Sequence, residues 1–464
     1  MMNKIPFRGI LISFILLFIT FNLSSQETGI QLYTKNSYFW EYNGQPVLLI
    51  GGSSNDNLFQ NINIVEELNQ LQAVGGNYVR CTLSGRDVGD EWPFWRLSRR
   101  FILNKFNPEF WKNLDSFFKL TAERKIFVQV EIWAFHDFME GWERNPWNPA
   151  LNNVFSELNT NLKTESYGDT GTAKHDFFFS VPKLKNDSLL LDYQKMFVDH
   201  LLGISLKYNH ILYCITNEIY SQYSPEWGWF WADYINQKAL EEGVSVHITE
   251  MFQTPDIMDK QHYASLQHPE LYSYIDISQN SRKVGQEHWE KLQIVRTATE
   301  SNPRPLNNVK IYGGPRGEWT DGPAHGINRF WRNLVGGAAS VRFHSSPSGI
   351  GISERAQFHI KSATMLAAEY DFFTSQPNAD FNLFDERGED EAYLATNSRG
   401  DAIVYFPDGG QVVIDFTDFE GDYELKWLNV EGKNWYKISN VEGGQILELK
   451  SPHAGGWIAL LKRK

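Results

Sequence analysis

Short apolar runs that end in turn residues recur along the first three quarters of the chain. Eight of them are rich in β-branched and aromatic residues and too short for a helix, a pattern typical of buried strands. Most are separated by about 30 to 35 residues, the length of a strand, a loop and a crossover helix. The eight predicted strands are residues 47–50, 78–83, 126–133, 211–216, 244–249, 274–277, 309–312 and 339–343.

Segments with helical character lie between these runs, at residues 64–73, 108–124, 188–207 and 226–242. Eight alternating strand and helix units predict an α/β chain folded as one closed (β/α)8 TIM barrel. Residues 32–42, closed by Asn43-Gly44, predict a hairpin that caps the bottom of the barrel. The longest gap follows the third strand, and its residues 142–182 predict a substrate loop over the barrel mouth.

The pattern changes after about residue 376, where short strands alternate with Gly, Asp and Asn turns. Seven such strands predict a small all-β antiparallel sandwich in residues 376–464, behind a catalytic barrel in residues 27–375. The sandwich either binds carbohydrate or packs on the barrel, and the sequence shows no exposed aromatic row that favours binding. The predicted strands are residues 392–396, 402–406, 411–416, 423–427, 435–438, 446–449 and 457–461.

The chain begins with a basic segment containing Lys4 and Arg8, an apolar run over residues 9–23, and a polar end at Ser24-Ser25. This arrangement predicts a secretory signal peptide, residues 1–26, with cleavage near Ser25 or Gln26. We therefore expect a secreted or periplasmic protein without membrane insertion after cleavage. An uncleaved anchor is the alternative, since the apolar run is long.

The composition of the chain excludes some classes of binding partner. The 43 Lys and Arg against 56 Asp and Glu give a formal charge of −13, which argues against nucleic acid or an anionic membrane. The two cysteines, Cys81 and Cys214, fall in the second and fourth predicted strands and are expected to be buried and unpaired. No motif has the spacing of metal ligands, so neither a metal nor a cofactor is predicted, and the sequence leaves the oligomeric state open.

The fourth predicted strand ends in Thr216-Asn217-Glu218. In a (β/α)8 barrel the C-terminal ends of the strands carry the chemistry. A carboxylic acid beside an amide suits protonation of a glycosidic oxygen while a sugar hydroxyl is held. A strand that ends in an ordinary Asn turn with a solvated Glu is the alternative at this position.

Three segments carry a resemblance to a known family: Tyr38-Phe-Trp-Glu-Tyr-Asn-Gly-Gln-Pro-Val-Leu-Leu-Ile-Gly51, the strand that ends at Glu218, and the terminal sandwich. Together they resemble the apiosidase-like barrels, clan A type glycoside hydrolases with a C-terminal domain named for collagen binding. The resemblance implies that Glu218 is the acid/base, that Asn217 contacts the sugar 2-hydroxyl, and that Arg80 keeps the nucleophile ionised. It also implies a second carboxylate after the seventh strand, acting as the nucleophile.

The chain departs from the family at that second carboxylate. Relatives often read Gly-Glu-Pro after the seventh strand, whereas this chain reads Gly313-Gly314-Pro315. Glu318 is the nearest carboxylate and is the predicted nucleophile of a retaining mechanism. Other acids at strand ends stay open, and a distant one that activates water would invert the anomeric configuration. They are Glu131, Asp137 and Glu250.

Further residues at strand ends are predicted to contact substrate, and as general acid Glu218 would need a raised pKa. Basic residues in the mouth-side loops suit a uronate or sulfate group on the substrate. Two other functions stay open: a non-catalytic carbohydrate-binding protein on a degenerate barrel, and a polysaccharide lyase with His136, His247 or His344 and a Tyr as base and acid. The predicted substrate contacts are Asn217, Arg80, Trp133, His136, Glu250, Gln279, His344, Arg316 and Trp319, and the basic residues are Arg86, Arg144, Arg282, Lys283 and Arg316.

Overall fold

The computed structural model describes residues 29–167, 174–315, 321–432 and 434–464. Its central feature is one sheet of eight parallel strands, each close to a predicted strand. The strands are β1 (Leu49–Gly52), β2 (Tyr78–Thr82), β3 (Phe127–Ala134), β4 (Ile211–Asn217), β5 (Ile248–Thr249), β6 (Ile275–Asp276), β7 (Leu306–Ile311) and β8 (Ser340–Phe343).

The strand order around this sheet is β5-β4-β3-β2-β1-β8-β7-β6, and every pairing is parallel. The backbone N–H of Asp276 donates to Thr249 Oγ1 at 3.1 Å across the seam between β6 and β5. The sheet is therefore a nearly closed barrel, and the predicted fold class is confirmed.

Helices cover the outside of the barrel and supply the crossovers. In the second crossover helix, Phe110, Leu114 and Phe117 follow a helical spacing and are buried. The Asn107 side chain accepts a hydrogen bond from Glu109 N at the start of this helix. The four predicted helices are confirmed. The eight crossover helices are α1 (Ile64–Ala73), α2 (Pro108–Glu123), α3 (Ser188–Ser205), α4 (Glu226–Glu241), α5 (Lys260–Leu266), α6 (Gly285–Ala298), α7 (Pro323–Val335) and α8 (Glu354–Ala367).

A small N-terminal sheet closes the bottom of the barrel, as predicted. Its strands are Ile30–Leu32, Trp40–Tyr42 and Gln45–Val47. Asn43 and Gly44 turn the chain with φ values of 52° and 73°, the left-handed conformations that a tight hairpin turn requires. The indole of Trp40 donates to Asn307 Oδ1 at 3.0 Å, which anchors the cap to the barrel interior.

Long segments cover the mouth. A hairpin of strands Phe94–Leu97 and Arg100–Phe106 lies between β2 and α2 and was not predicted from the sequence. After β3 the chain forms the short helix Phe135–Met139 and then the predicted loop. Part of that loop, residues 168–173, lies outside the described residues.

The C-terminal region is an antiparallel sandwich with a six-stranded and a three-stranded sheet. All seven predicted strands are present, with two further short strands at the start. The strands are β9 (Gln376–Pro377), β10 (Phe384–Glu386), β11 (Tyr393–Thr396), β12 (Ala402–Phe406), β13 (Gln411–Asp415), β14 (Asp422–Asn429), β15 (Trp435–Glu442), β16 (Ile446–Lys450) and β17 (Trp457–Arg463). The strand orders are β9-β11-β12-β17-β14-β15 and β10-β13-β16.

The six-stranded sheet lies against the last two crossover helices. The Tyr405 hydroxyl donates to Asn328 Oδ1 at 2.7 Å, and the Tyr405 ring stacks on Trp331. Arg355 of α8 pairs with Glu431 at 2.8 Å. The sandwich thus makes the packing contacts with the barrel that the sequence favoured.

Cys81 and Cys214 are buried and unpaired, as predicted. The predicted signal peptide lies outside the described residues. Across the described ranges, no helix combines the length and apolar character needed to span a bilayer.

Candidate active site

Glu218 directly follows β4 and has a φ of 63°. Residues other than glycine rarely adopt this conformation, and such backbone outliers cluster at functional sites. The next residue is tied back to the neighbouring strand end, because Ile219 N donates to Met251 O at 3.0 Å. The turn that presents the Glu218 carboxylate is therefore held by backbone hydrogen bonds.

Four side chains from three strand ends surround the Glu218 carboxylate. Gln279 Nε2 donates to Oε1 at 2.7 Å, and the Tyr312 hydroxyl donates to the same oxygen at 2.5 Å. Lys310 Nζ lies 3.0 Å from Oε1, and His136 Nε2 lies 3.0 Å from Oε2. Both oxygens of a nearly buried carboxylate are thus supplied with donors.

These neighbours determine the charge of Glu218. Burial alone would raise its pKa, but Lys310, His136 and Tyr312 together lower it well below the ordinary glutamate value. The raised pKa that the sequence analysis requires of Glu218 as a general acid is therefore not found. Glu218 is an ionised carboxylate at neutral pH.

His136 carries the matching positive charge. Burial lowers its pKa, but hydrogen bonding to Glu140 and Glu218 outweighs burial and raises the pKa to about 9. Its two ring nitrogens lie 3.3 Å from Glu140 Oε1 and 3.0 Å from Glu218 Oε2, so the imidazolium donates to both carboxylates.

We expect the His136 imidazole to titrate at about pH 9 in NMR spectra. Because this folded-state pKa lies above the ordinary histidine value, the stabilisation is fully present below about pH 6.5 and is lost as the pH rises through about 9. His136→Gln should accordingly reduce the free energy of unfolding more at pH 6 than at pH 10, as measured with urea. A His136 signal that titrates near the ordinary value would contradict the ion pair.

Lys310 also fixes the amide beside Glu218. Its Nζ donates to Asn217 Oδ1 at 2.5 Å while contacting Glu218, and the side chain is almost fully buried. Asn217 and Glu218 are thereby locked in one orientation by a single cation on β7. A buried ammonium with two oxygen partners avoids the cost of an unpaired charge.

A second charged group begins at Arg80 in the barrel interior. Arg80 is fully buried and bridges Glu131 of β3 and Asp56 after β1, with Asp56 Oδ1 at 2.5 Å. The Ser345 hydroxyl donates to the same Asp56 oxygen at 2.8 Å. Burial raises the pKa of Asp56, but Arg80 and further cations lower it well below the ordinary value.

The two charged groups belong to one site. Glu218 contributes to the raised pKa of Arg80, after Asp56 and Glu131, which places its charge within electrostatic reach. His344 follows β8 and lies between the groups, with Nδ1 3.9 Å from Asp56 Oδ1 and its ring edge-on to Tyr312. The structure therefore brings together six of the residues predicted from sequence: Glu218, Asn217, Arg80, His136, Gln279 and His344.

Arg86 connects this site to the loop after β2. Its guanidinium lies 3.4 Å from Asp56 Oδ2 and 3.1 Å from Asp137 Oδ1. Asp137 also accepts from Ser84 Oγ at 2.9 Å. Burial raises the pKa of Asp137, although Arg86 opposes the shift.

Other residues predicted for the site lie elsewhere. Trp133 is buried among aromatic rings that include Phe197 and Trp231 of α3 and α4. Glu250 accepts from the backbone N–H of Thr216 at 2.8 Å, and its carboxylate lies against Gly228 of α4, so it is part of the barrel wall. His247 lies at the bottom of the barrel, where Nε2 is 3.0 Å from Ile30 O. None of the three joins the group around Glu218.

Glu318, Arg316 and Trp319 lie outside the described residues, so their assigned roles stay predictions. The described backbone explains why a glycine stands at position 314, where the resemblance implied a carboxylate. A Cβ added to Gly314 would lie 1.8 Å from Pro347 O, and Gly314 N donates to Ser348 O at 2.7 Å. Since the loop after β8 passes directly against this position, it has no room for a side chain.

We expect Gly314→Ala to lower the free energy of unfolding by about 1–3 kcal/mol, because the new methyl group overlaps a backbone carbonyl. The measurement is the urea midpoint. Gly203→Ala is a matched control, since a Cβ at that position on α3 meets nothing within 4 Å and helix propensity favours alanine. Equal midpoints for the two variants would contradict the close approach.

Sequence reasoning missed Lys310 and Tyr312, and for Asp56, which follows the first strand, it left a substrate contact and an ordinary turn residue both open. A signal for the first was available, because Val309-Lys310-Ile311-Tyr312 places a lysine between apolar residues of a barrel strand. Over the described ranges, no group of three His, Cys, Asp or Glu side chains has the geometry to hold a metal ion.

No known protein family matches the sequence, and no curated protein matches it either. Solved structures do match the fold. One is a glycoside hydrolase family 5 protein from Bacteroides vulgatus, with a TM-score of 0.65 at 13% identity over 94% of this chain and 93% of that one. A second glycoside hydrolase has a TM-score of 0.63 at 10% identity over 94% of this chain and 97% of that one. A third structure, also from Bacteroides vulgatus, has a TM-score of 0.59 at 9% identity over 95% of this chain and 83% of that one. These structural neighbours are glycoside hydrolases, and the chain shares their architecture along nearly its full length.

Proposed function

We propose that this protein is an exported glycoside hydrolase that cleaves a poly- or oligosaccharide at the barrel mouth. The observation that carries the proposal is the Glu218 carboxylate at the C-terminal end of β4, which accepts hydrogen bonds from Gln279, Tyr312 and His136 beside Lys310. So many donors around one carboxylate at the C-terminal end of a barrel strand favour a catalytic role.

In this proposal Glu218 acts in its ionised form. Its lowered pKa makes it a poor proton donor and a suitable nucleophile toward an anomeric carbon or base toward water. The two-carboxylate, retaining mechanism keeps Glu318 as its second member but exchanges the roles predicted from the sequence, in which Glu218 is the acid/base and Glu318 the nucleophile. With Glu218 ionised, the proton for the leaving oxygen comes from that second carboxylic acid.

The apiosidase-like identity, the export and the named class of the C-terminal domain belong to the same proposal. The structural neighbours support the proposed glycoside hydrolysis only because they share the fold of this chain. The contacts between Tyr405 and α7 support a sandwich that stabilises the barrel.

The pairing of the mouth-side cations favours an uncharged sugar over the uronate or sulfate that the sequence suggested. Arg86 is neutralised by Asp56 and Asp137, and Lys283 pairs with Glu287 at 2.8 Å. Arg144 lies 3.3 Å from Glu143. A cation that already has a carboxylate partner gains little from a second anion.

The test incubates the purified protein with neutral and acidic plant and microbial polysaccharides and measures released reducing ends and ultraviolet absorbance. Reducing ends without an absorbance increase are expected, because hydrolysis creates no double bond. An ultraviolet-absorbing product would replace the proposal with a lyase. Heat-inactivated protein is the control.

The second candidate is a non-catalytic carbohydrate-binding protein. It is favoured by Gly314 in place of the family nucleophile and by the two cations that neutralise Glu218. Glycan binding without release of any reducing end would support it. The lyase is less favoured, because the raised pKa of His136 makes it a poor base and His247 lies at the opposite end of the barrel.

A further inference from the structure

A groove of about 420 Å³ lies beside the mouth, between the loop after β2 and the start of α2. It is lined by Asp90, Trp92, Trp95, Arg96, Asn107 and Glu109, and we call it the hairpin groove. Its volume is within the range of about 300–1,000 Å³ typical of small-molecule sites. It belongs to the mouth side because its residues follow the C-terminal end of β2.

Aromatic rings line part of the hairpin groove. Trp95 is 38% exposed, an unusual position for so large an apolar side chain, and Lys105 Nζ lies 4.7 Å from its ring centre. Trp92 is half-buried and held edge-on by Phe101, with ring centroids 6.3 Å apart. Each indole therefore borders the groove while contacting a residue of the strand Arg100–Phe106.

The polar lining of the groove is held in place by hydrogen bonds. The Asn107 side chain donates to Trp92 O at 3.1 Å and to Glu91 Oε2 at 2.9 Å. Asp90 Oδ2 accepts from Asn57 Nδ2 at 2.6 Å, and burial raises the pKa of Asp90 to about 6. Carboxylate and amide groups fixed beside flat rings suit hydroxyl recognition and stacking on an apolar sugar face.

The groove is connected to the site around Glu218 through a short polar path. Asn57, which anchors Asp90, accepts from Thr82 at the end of β2 and follows Asp56 in the chain. Asp56 in turn pairs with Arg80 in the active site. The groove and the Glu218 site are therefore joined through buried side chains on the side of the barrel where the strands end.

We propose that the hairpin groove is a sugar-binding subsite that takes uncharged sugar units of the glycan chain bound at Glu218. This inference rests on the proposed function for the chain's identity as a glycan, but not on catalysis. Three acidic side chains, Asp90, Glu91 and Glu109, outnumber Arg96, the cation of the lining, and the resulting negative charge favours neutral sugars over uronate and sulfate groups.

The test is native affinity electrophoresis in gels that contain glucomannan, xylan, xyloglucan or polygalacturonate. The wild-type protein is expected to be retarded by at least one neutral polysaccharide and not by polygalacturonate. Trp95→Ala should weaken that binding about tenfold, the effect expected of an aromatic anchor. Trp95→Phe, which keeps a flat ring, should recover most of it and guards against a folding defect.

Tyr436→Ala is the matched control, because Tyr436 is an exposed aromatic residue on β15 of the sandwich. Its retardation should equal that of the wild type. Unchanged binding in Trp95→Ala, no binding of any neutral polysaccharide, or stronger binding of polygalacturonate would each overturn the subsite. Absence of hydrolysis alongside a Trp95-dependent loss of binding would overturn the proposed function and leave the subsite supported.

Discussion

Glu218→Gln is expected to lower the turnover number on the best substrate by at least about 10³-fold. Glutamine keeps the shape of the side chain but removes the negative charge that the surrounding donors stabilise. A neutral amide can neither attack the anomeric carbon nor balance a positive charge that develops there. Reducing-end assays under substrate saturation measure the loss directly.

The control for this variant is Glu143→Gln, which removes a carboxylate from an exposed position in a mouth-side loop. It should keep nearly full activity. Removal of the Glu218 charge also leaves Lys310 without its carboxylate, so the urea midpoint of each variant must be compared. If Glu218→Gln retained more than about a tenth of the activity, Glu218 would not be the central carboxylate.

Chemical rescue of Glu218→Ala separates the possible roles of the carboxylate. If Glu218 is the nucleophile, azide that enters the vacated space attacks the anomeric carbon once and gives a glycosyl azide of inverted configuration. If Glu218 is the acid/base, azide attacks a glycosyl-enzyme and the configuration is retained. Product NMR distinguishes the two, and inversion is the expected result.

The barrel could be predicted because each of its strands has a recognisable sequence pattern. Runs such as residues 211–216 are buried on both faces and are bounded by turn residues, so strand ends were placed within a few residues. The hairpin Phe94–Phe106 was not found, because its exposed arginines and lysine interrupt the apolar alternation. A local sequence pattern therefore predicts the strands of the core more reliably than the strands of a loop.

The site was predictable only where a strand end fixes the direction of a side chain. Glu218, Asn217 and Arg80 follow from their positions at the ends of β4 and β2. Trp133 and Glu250 also stand at strand ends, but their side chains pack into the wall against α4. Which side of the wall a residue faces depends on local irregularity that periodicity does not reveal.

The charge state of Glu218 depends on contacts between distant parts of the chain. Lys310 lies 92 residues beyond Glu218, and His136 lies 82 residues before it. The sequence alone indicates that Glu218 is buried, which raises the pKa of a carboxyl group. It does not indicate the neighbouring cations, whose lowering effect on the pKa outweighs that of burial. The predicted pKa direction was wrong for this physical reason.

Lys310→Met tests the ionised form of Glu218 most directly. Loss of an opposite charge at 3.0 Å should raise the pKa of Glu218. Because the proposed mechanism needs the carboxylate ionised, the acidic limb of the kcat/KM profile should move to higher pH. At pH values on that limb, activity then falls by up to about tenfold for each pH unit that the limb moves.

The direction of this change separates two mechanisms. A Glu218 that must be protonated would become more active near neutral pH when Lys310 is removed, since a raised pKa keeps the proton on. Lys112→Met on the exposed face of α2 removes the same charge far from the site and should leave the profile unchanged. A gain of activity in Lys310→Met would return Glu218 to the role of general acid, with Lys310 holding it in an inactive ionised state until substrate displaces the contact.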